Sequence, residues 1–494
     1  MRIALSSHPM QKILRDKTAR LRSAICAGRG HTIYRGPKMY NTAARLERLP
    51  VGRFQYKLLM MGGLGYMFEA WDAGIIAFLL PALRTQWQLT SLQVGYLASS
   101  TYVGFLIGAL IAGAIGDRYG RKNVMLWALV LFCLASLAGA AVNDWHQFFA
   151  LRVIGGIGMG AEAAIIAPFL SEFVGAKYRG RFTASLAAFF SFGFVISAVL
   201  GYLLVPTSDD GWRYALIVTA MPVVIVLWWR RGLTESPRWL ESQGRHEEAH
   251  EIVTAIEKDY ASRGVSLPPA TYTPQVASTP NTSLMANFKA LLSPRFLRIT
   301  IMTWLLWVSV TFSIYAFMTW IPSLLVERGM TMTKSFSFSI LIYAAQIPGY
   351  FTAAWLCEKI GRPYTIVLYM ALAAISALSL AFATGDTQVI ALAMTLSFFI
   401  NGVAAGEYAY TPEVFPTRIR ATGVGTASAI GRIGGIAAPI LVGAVYPIGG
   451  FAGVFGMTTV ILFIGALSVL VLGIPTKNRS LEEIEAEEFA ASSN

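Results

Sequence analysis

Six ionisable residues sit where apolar sequence would ordinarily exclude them. Glu69 and Asp72 lie in YMFEAWDAGIIAFLLP, Arg152 and Glu162 in LRVIGGIGMGAE, Glu407 in NGVAAGEYAY and Arg432 in GRIGG. Holding a charge at a bilayer centre costs about 2.5–3.5 kcal/mol on insertion scales, so residues of this kind are functional candidates by default. Desolvation favours a neutral carboxyl group, whereas a nearby arginine favours the anion. A carboxylate whose arginine partner comes and goes therefore acts as a proton switch. Glu69 and Asp72 are three residues apart and face the same side of a helix. The guanidinium of Arg432 has the fork geometry that grips a carboxylate with two hydrogen bonds, which suits it to an anionic substrate group. The plainer alternative is that some of these groups pair with one another or snorkel to the membrane surface. That alternative is weakest for Asp72, Glu162 and Arg432, near mid-span, and stronger for Arg152 and Glu407, nearer helix ends.

The elements that must position these residues are membrane helices. The chain has 494 residues, is 55% hydrophobic and only 14% charged, with mean hydropathy +0.55. A soluble domain carries about 25% charged residues. Roughly twelve apolar runs are long enough to cross a bilayer. They fall near 58–80, 94–115, 124–142, 147–171, 184–205, 212–229, 298–322, 336–357, 364–384, 388–411, 423–446 and 451–473. The +13 net charge is not a nucleic-acid footprint, because its arginines and lysines crowd every second short loop. That bias is the positive-inside pattern, and it predicts cytoplasmic termini and a cytoplasmic linker.

The runs form two copies of one unit. Asp117 and Glu358, Arg121 and Arg362, Glu172 and Glu413, Arg179 and Arg420 are each 241 positions apart (358 − 117, for example), as are Pro81 and Pro322. The expected organisation is a basic segment over 1–57, a six-helix bundle over 58–229, a linker over 230–297, a second six-helix bundle over 298–473 and a tail over 474–494. The fold class is an all-α membrane protein of twelve transmembrane helices in two pseudo-symmetric bundles. Within 1–57, the basic residues 1–38 fit a surface-bound tail or an organelle transit peptide, and read more plainly as an over-extended start with Met39 as the initiator.

The repeat sorts the charges. Those present in both halves, namely Asp117, Arg121, Glu172, Arg179, Glu358, Arg362, Glu413 and Arg420, sit at cytoplasmic helix ends and read as an inner gate. The buried candidates have no charged mate: Asp72 maps to Ser313, Glu69 to Val310, Glu162 to Val403, Glu407 to Ile166, Arg432 to Ser191 and Arg152 to Ala393. The linker, TESPRWLESQGRHEEAHEIVTAIEKDY and then proline-rich, reads as a helical connector along the cytoplasmic face, either solvated or latched on the inner gate. GGIGMGAE is not a nucleotide loop, since no strand precedes it and no P-loop lysine follows. Gly156 and Gly160 instead give a small-residue face for close helix packing. Cys26, Cys133 and Cys357 have no metal or disulfide spacing. With no hydrolase, metalloprotease or kinase motif, the sequence points away from an enzyme and implies no cofactor.

GDRYGRK resembles the signature of the major facilitator superfamily between its second and third helices. RVIGGIGMGAE, TESPRWL, EVFPTRIRATG and PTKNRSLEEIE resemble its sugar-porter branch. In that branch a first-helix Asp pairs with an Arg opening the fourth-helix glycine motif; Asp72 and Arg152 match those positions, so the resemblance implies a proton-linked pair. The seventh run, TWLLWVSVTFSIYAFMTWIP, lacks the Gln and Asn residues that hold sugar hydroxyls. The FEAWD acid pair, Glu162 and GRIGG are most similar to metabolite–proton symporters, the nicotinate (niacin) uptake transporters among them. The resemblance thus implies proton-coupled uptake of a small, often aromatic, carboxylate by alternating access. Arg432 would hold the carboxylate, Trp304, Trp307 and Tyr315 would offer stacking faces, and Glu162 and Glu407 would line the cavity. The implied partners are a small molecule, protons and lipid, with no nucleic acid, for a monomer in a bacterial inner membrane. A sugar or polyol symporter, an exporter and a non-transporting sensor are the alternatives.

Overall fold

A computed structural model of the chain describes residues 42–221, 223–270, 284–416 and 418–476. The basic start with Met39, the later linker prolines and the tail from 477 lie outside the described residues, as does the side chain of Arg179. No strand occurs among the described residues. After a short α1 (Thr42–Glu47), the N-terminal half comprises α2 (Arg53–Gln86), α3 (Ser91–Tyr119), α4 (Arg121–Gly139), α5 (Trp145–Ser171), α6 (Ala176–Leu204), α7 (Gly211–Ala220) and α8 (Val223–Arg231). The linker carries α9 (Pro237–Ser242), α10 (His246–Ser262) and α11 (Leu284–Leu291). The C-terminal half comprises α12 (Pro294–Glu327), α13 (Met332–Ala344), α14 (Gln346–Ile360), α15 (Arg362–Ala381), α16 (Asp386–Val414) and α17 (Arg420–Leu472).

Ten stretches of helix are long and apolar enough to cross a membrane. The 53-residue α17 holds two crossings, because Gly450 breaks it with φ of +57°. Helices α7 and α8 together make the sixth crossing, so the described residues hold twelve. The duplication reappears in the helix bounds. Shifting Arg53–Gln86 by 241 gives Pro294–Glu327, and shifting Ser91–Tyr119 gives the span from Met332 to Ile360. Starts repeat as well: Thr90 accepts from the Gln93 N–H, and Thr331 accepts from the Lys334 N–H, each closing the first turn of a helix. Both motif loops turn on a glycine in the left-handed region, Gly120 at φ +91° and Gly361 at φ +99°, where a side chain is strained.

The helices are apolar on all sides, as expected when both lipid and protein surround them. Trp228 and Phe382 are more than two-thirds exposed, a burial that lipid would supply. Close approach is concentrated between α3 and α5. A Cβ on Gly156 would lie 2.2 Å from the Thr101 carbonyl oxygen, and one on Gly160 2.0 Å from that of Phe105. The small-residue face read from the sequence is therefore a helix contact, and it fixes where Arg152 projects from α5. Between the halves, α2 packs on α12, α3 on α17 and α6 on α13.

Candidate functional site

Four buried acids and three arginines face the interior, and the structure sorts them into pairs. Asp72 and Arg152, on α2 and α5, are both almost fully buried. Arg152 Nη1 donates to Asp72 Oδ2 at 3.2 Å, its Nη2 to the Asp72 carbonyl at 2.9 Å, and its Nε to Thr101 Oγ1 at 3.1 Å. Ser136 Oγ donates to Asp72 Oδ1 at 2.6 Å. The Asp72–Arg152 partnership implied by the resemblance is thus a geometric fact, and Arg152 does not snorkel despite its place near the end of α5.

Glu162 does not stand open to the space between the halves. It is 0% exposed and pairs with Arg230 of α8, which also donates to the Met125 carbonyl at 3.0 Å. Sequence reading passed over Arg230, because it begins the linker segment and looks like an ordinary helix-end cation. One signal was available: 241 positions on stands Val471, so Arg230 also lacks a charged mate. Its guanidinium occupies room that only a glycine leaves, since a Cβ on Gly65 would come within 2.2 Å of Nη2.

That leaves Arg432, Glu69 and Glu407. Arg432 is half-buried and stands over the Phe105 ring at 4.2 Å, a cation–π contact across the halves. Among the described residues it has no salt bridge. Glu69 is 1% exposed, and neither of its carboxyl oxygens has a hydrogen-bond partner among the described residues. It lies within electrostatic reach of Arg432, Arg230 and Glu162. Tyr66 of α2 is in reach of Arg432, Tyr315 and Tyr408. Tyr408 is 66% exposed and in reach of Tyr66 in the other half. Of the predicted aromatic faces, Trp307 is buried with its edge on Tyr408 at 5.1 Å, and its Nε1 donates to Thr411 at 2.9 Å. Tyr315 lies on Tyr102 at 4.2 Å. Trp304 is half-buried, with a buried Nε1 that has no partner among the described residues. Glu407 is buried, with one oxygen unpartnered among the described residues. Phe105, Tyr66 and Tyr408 were not singled out from the sequence, where an aromatic in a span is unremarkable.

The gate motifs fall on the face that carries the linker. Arg121 pairs with Glu172, and Arg362 with Glu413 at 3.0 Å. These are repeat-equivalent pairs, each tying neighbouring helices within one half. Asp117 is 3.8 Å from Arg121 and largely exposed. Glu358 is exposed with no salt bridge among the described residues, and Arg420 Nε donates to the Phe415 carbonyl. The linker is not a free connector. Ser236 donates to Glu172, Trp239 Nε1 donates to the Asp117 carbonyl at 3.0 Å, and the Glu235 carboxylate accepts from the Lys122 N–H at the start of α4. On the opposite face Arg84 of α2 pairs with Glu327 of α12, and Tyr446 donates to Glu327 at 3.3 Å. This ion pair crosses from one half to the other.

Two duplicated six-helix bundles, with ion-paired motif loops on one face and unpaired polar groups between the halves, define a multi-pass membrane transporter. The chain belongs to the family described as Sugar (and other) transporter, whose profile matches residues 54–487; it is a transporter of the major facilitator type, not an enzyme. It is 38% identical to the niacin transporter NiaP of Acinetobacter baylyi over 89% of this chain and 99% of that one. It is 33% identical to a putative niacin/nicotinamide transporter of Bacillus subtilis, over 87% of this chain and 98% of that one. The fold is similar to that of the inward-open xylose transporter XylE of E. coli (TM-score 0.70, 18% identity, covering 88% of this chain and 99% of that one).

Proposed function

We propose that this protein takes up nicotinate, or a closely related small aromatic carboxylate, together with a proton, by alternating access across a bacterial inner membrane. The observation that carries the reading is Arg432: a guanidinium between the halves with no salt bridge among the described residues, flanked by Phe105, Tyr66, Tyr315 and Tyr408. A carboxylate fits the fork, and a planar ring fits the aromatic faces. The niacin transport named for both relatives supports that choice of substrate. Asp72 with Arg152 is the proton-linked pair, because a carboxylate held by one arginine and one hydroxyl binds a proton when the arginine withdraws. Glu407 and Glu162 support the cavity from either half. The arginine-rich linker face is cytoplasmic by the positive-inside rule. Asp117, Arg121, Glu172, Arg179, Glu358, Arg362, Glu413 and Arg420 form the inner gate on that face, and Arg84–Glu327 closes the outer one.

The test is uptake of radiolabelled nicotinate, benzoate and glucose by cells expressing the protein, with and without a proton ionophore. Nicotinate accumulation that collapses with the ionophore is the expected result. Glucose uptake without acid uptake would sink the reading in favour of a sugar symporter.

A further inference from the structure

Helices α3 and α17 meet across the halves in antiparallel register, and the seam between them changes along its length. At the end nearer the Arg84–Glu327 pair, a Cβ on Gly443 would lie 2.4 Å from the Ser91 carbonyl oxygen, and one on Gly95 2.6 Å from that of Pro439. Next, Ser99 Oγ donates to the Ile436 carbonyl at 2.7 Å. Phe105 then meets Arg432 at 4.2 Å, with fourteen residues of α3 on either side (105 − 91 and 119 − 105). Toward the linker face the seam is open: among the described residues, nothing lies within 4 Å of a Cβ on Gly113 or on Gly425. The Phe105–Arg432 contact is therefore where the closed part of the seam ends, midway along α3. Phe105 itself is clamped to its own half. A Cβ on Gly160 of α5 would lie 2.0 Å from the Phe105 carbonyl oxygen, and the Phe105 side chain packs against the buried cluster of Leu129, Phe132 and Met159. Arg432 has no such clamp. A long side chain without a salt bridge spreads over many rotamers. A ring face that takes one side of the guanidinium narrows that spread and leaves N–H donors for a carboxylate.

We propose that Phe105 is a positioning residue of the substrate site: its ring holds the Arg432 guanidinium, from the opposite half, in the orientation that receives the substrate carboxylate. This rests on the reading of Arg432 as the carboxylate receptor. The ring lowers the ordering cost that the acid would otherwise meet on binding. Because the ring belongs to one half and the arginine to the other, the assembled receptor exists only while the middle of the seam is closed. Affinity for the acid is then tied to the arrangement of the two halves.

The experiment is calorimetric titration of the purified full-length protein with nicotinate, with position 105 occupied in turn by phenylalanine and by its mono-, di- and trifluorinated analogues. Fluorine drains the negative ring face that attracts a cation while nearly keeping the ring's shape. Affinity should fall stepwise with each fluorine, a trend that mere packing would not produce. Phe105→Leu should bind nicotinate about five- to thirtyfold more weakly, the worth of a cation–π contact. In uptake it should raise KM far more than it lowers the maximal rate. Phe105→Tyr, which keeps the ring, should bind as wild type does. The fluorinated series serves if the Leu variant does not fold. Affinity that stays flat across the series, in a protein whose Arg432→Gln variant loses binding, would overturn the proposal and leave the substrate reading intact. An Arg432→Gln variant that binds nicotinate as tightly as wild type, or folded wild type that binds none, would overturn the substrate reading, and this proposal with it.

Discussion

Removing Arg152 should damage this protein more than removing its partner carboxylate, and the structure says by how much. In Arg152→Met the Asp72 carboxylate, 0% exposed, retains only the hydrogen bond from Ser136 Oγ. Stranding one member of a buried ion pair costs about 3–5 kcal/mol, or roughly two to four powers of ten in the unfolding equilibrium. In Asp72→Asn the guanidinium keeps its bonds to Thr101 and to the backbone carbonyl of residue 72. That variant should be the milder by roughly one charged hydrogen bond, about 1.5–3 kcal/mol. The double variant should recover most of the loss, because neither site then buries an unpaired charge. The assay is reversible unfolding in lipid bicelles across the four proteins of the cycle, with proton-driven uptake measured in parallel. Additive effects, or an Arg152→Met variant within about 1 kcal/mol of wild type, would contradict the assigned pairing. Full uphill accumulation in a folded Asp72→Asn protein would remove Asp72 from the transport mechanism.

Gly156→Ala should cost about 1–3 kcal/mol by overpacking, since the added carbon meets the Thr101 carbonyl at 2.2 Å; Gly113→Ala, with nothing within 4 Å, is the comparison that should melt no lower. Glu327→Gln removes a partly exposed pair with Arg84 worth about 0.2–1 kcal/mol. It should shift the outer gate toward open by up to roughly fivefold, read as faster labelling by an impermeant reagent of a cysteine placed at Ser323. In the linker, burial raises the Glu257 carboxyl, but hydrogen bonds from Arg45 and Arg48 outweigh it and hold the group below its ordinary value. A depressed value means docking of α10 is complete above the ordinary glutamate range and is lost as pH falls through the bound one. Acid should therefore expose the linker to proteolysis, and Glu257→Gln should do so at neutral pH.

What the sequence determined by itself was everything carried by length, period and repetition. Twenty-residue apolar runs leave a backbone no choice but helix in lipid. The 241-residue offset fixed the two halves closely enough to return in the bounds of α2 and α12. The same offset marked Glu69, Asp72, Arg152, Glu162, Glu407 and Arg432 as residues the shared scaffold does not need. Partnership was legible only where a motif resemblance carried it, for Asp72 with Arg152; spacing by itself did not reach it. Asp72 and Arg152 are 80 residues apart, Glu162 and Arg230 are 68 apart, and one-dimensional spacing cannot say which carboxylate an arginine meets. That depends on how deeply α5 sinks against α3 at Gly156 and Gly160, and on the room Gly65 leaves for a guanidinium. Those are contacts of a few ångströms between helices distant in the chain. The tertiary structure alone therefore committed Glu162 to Arg230, added Ser136 to the Asp72–Arg152 pair, and left Glu69 and Arg432 without salt bridges among the described residues.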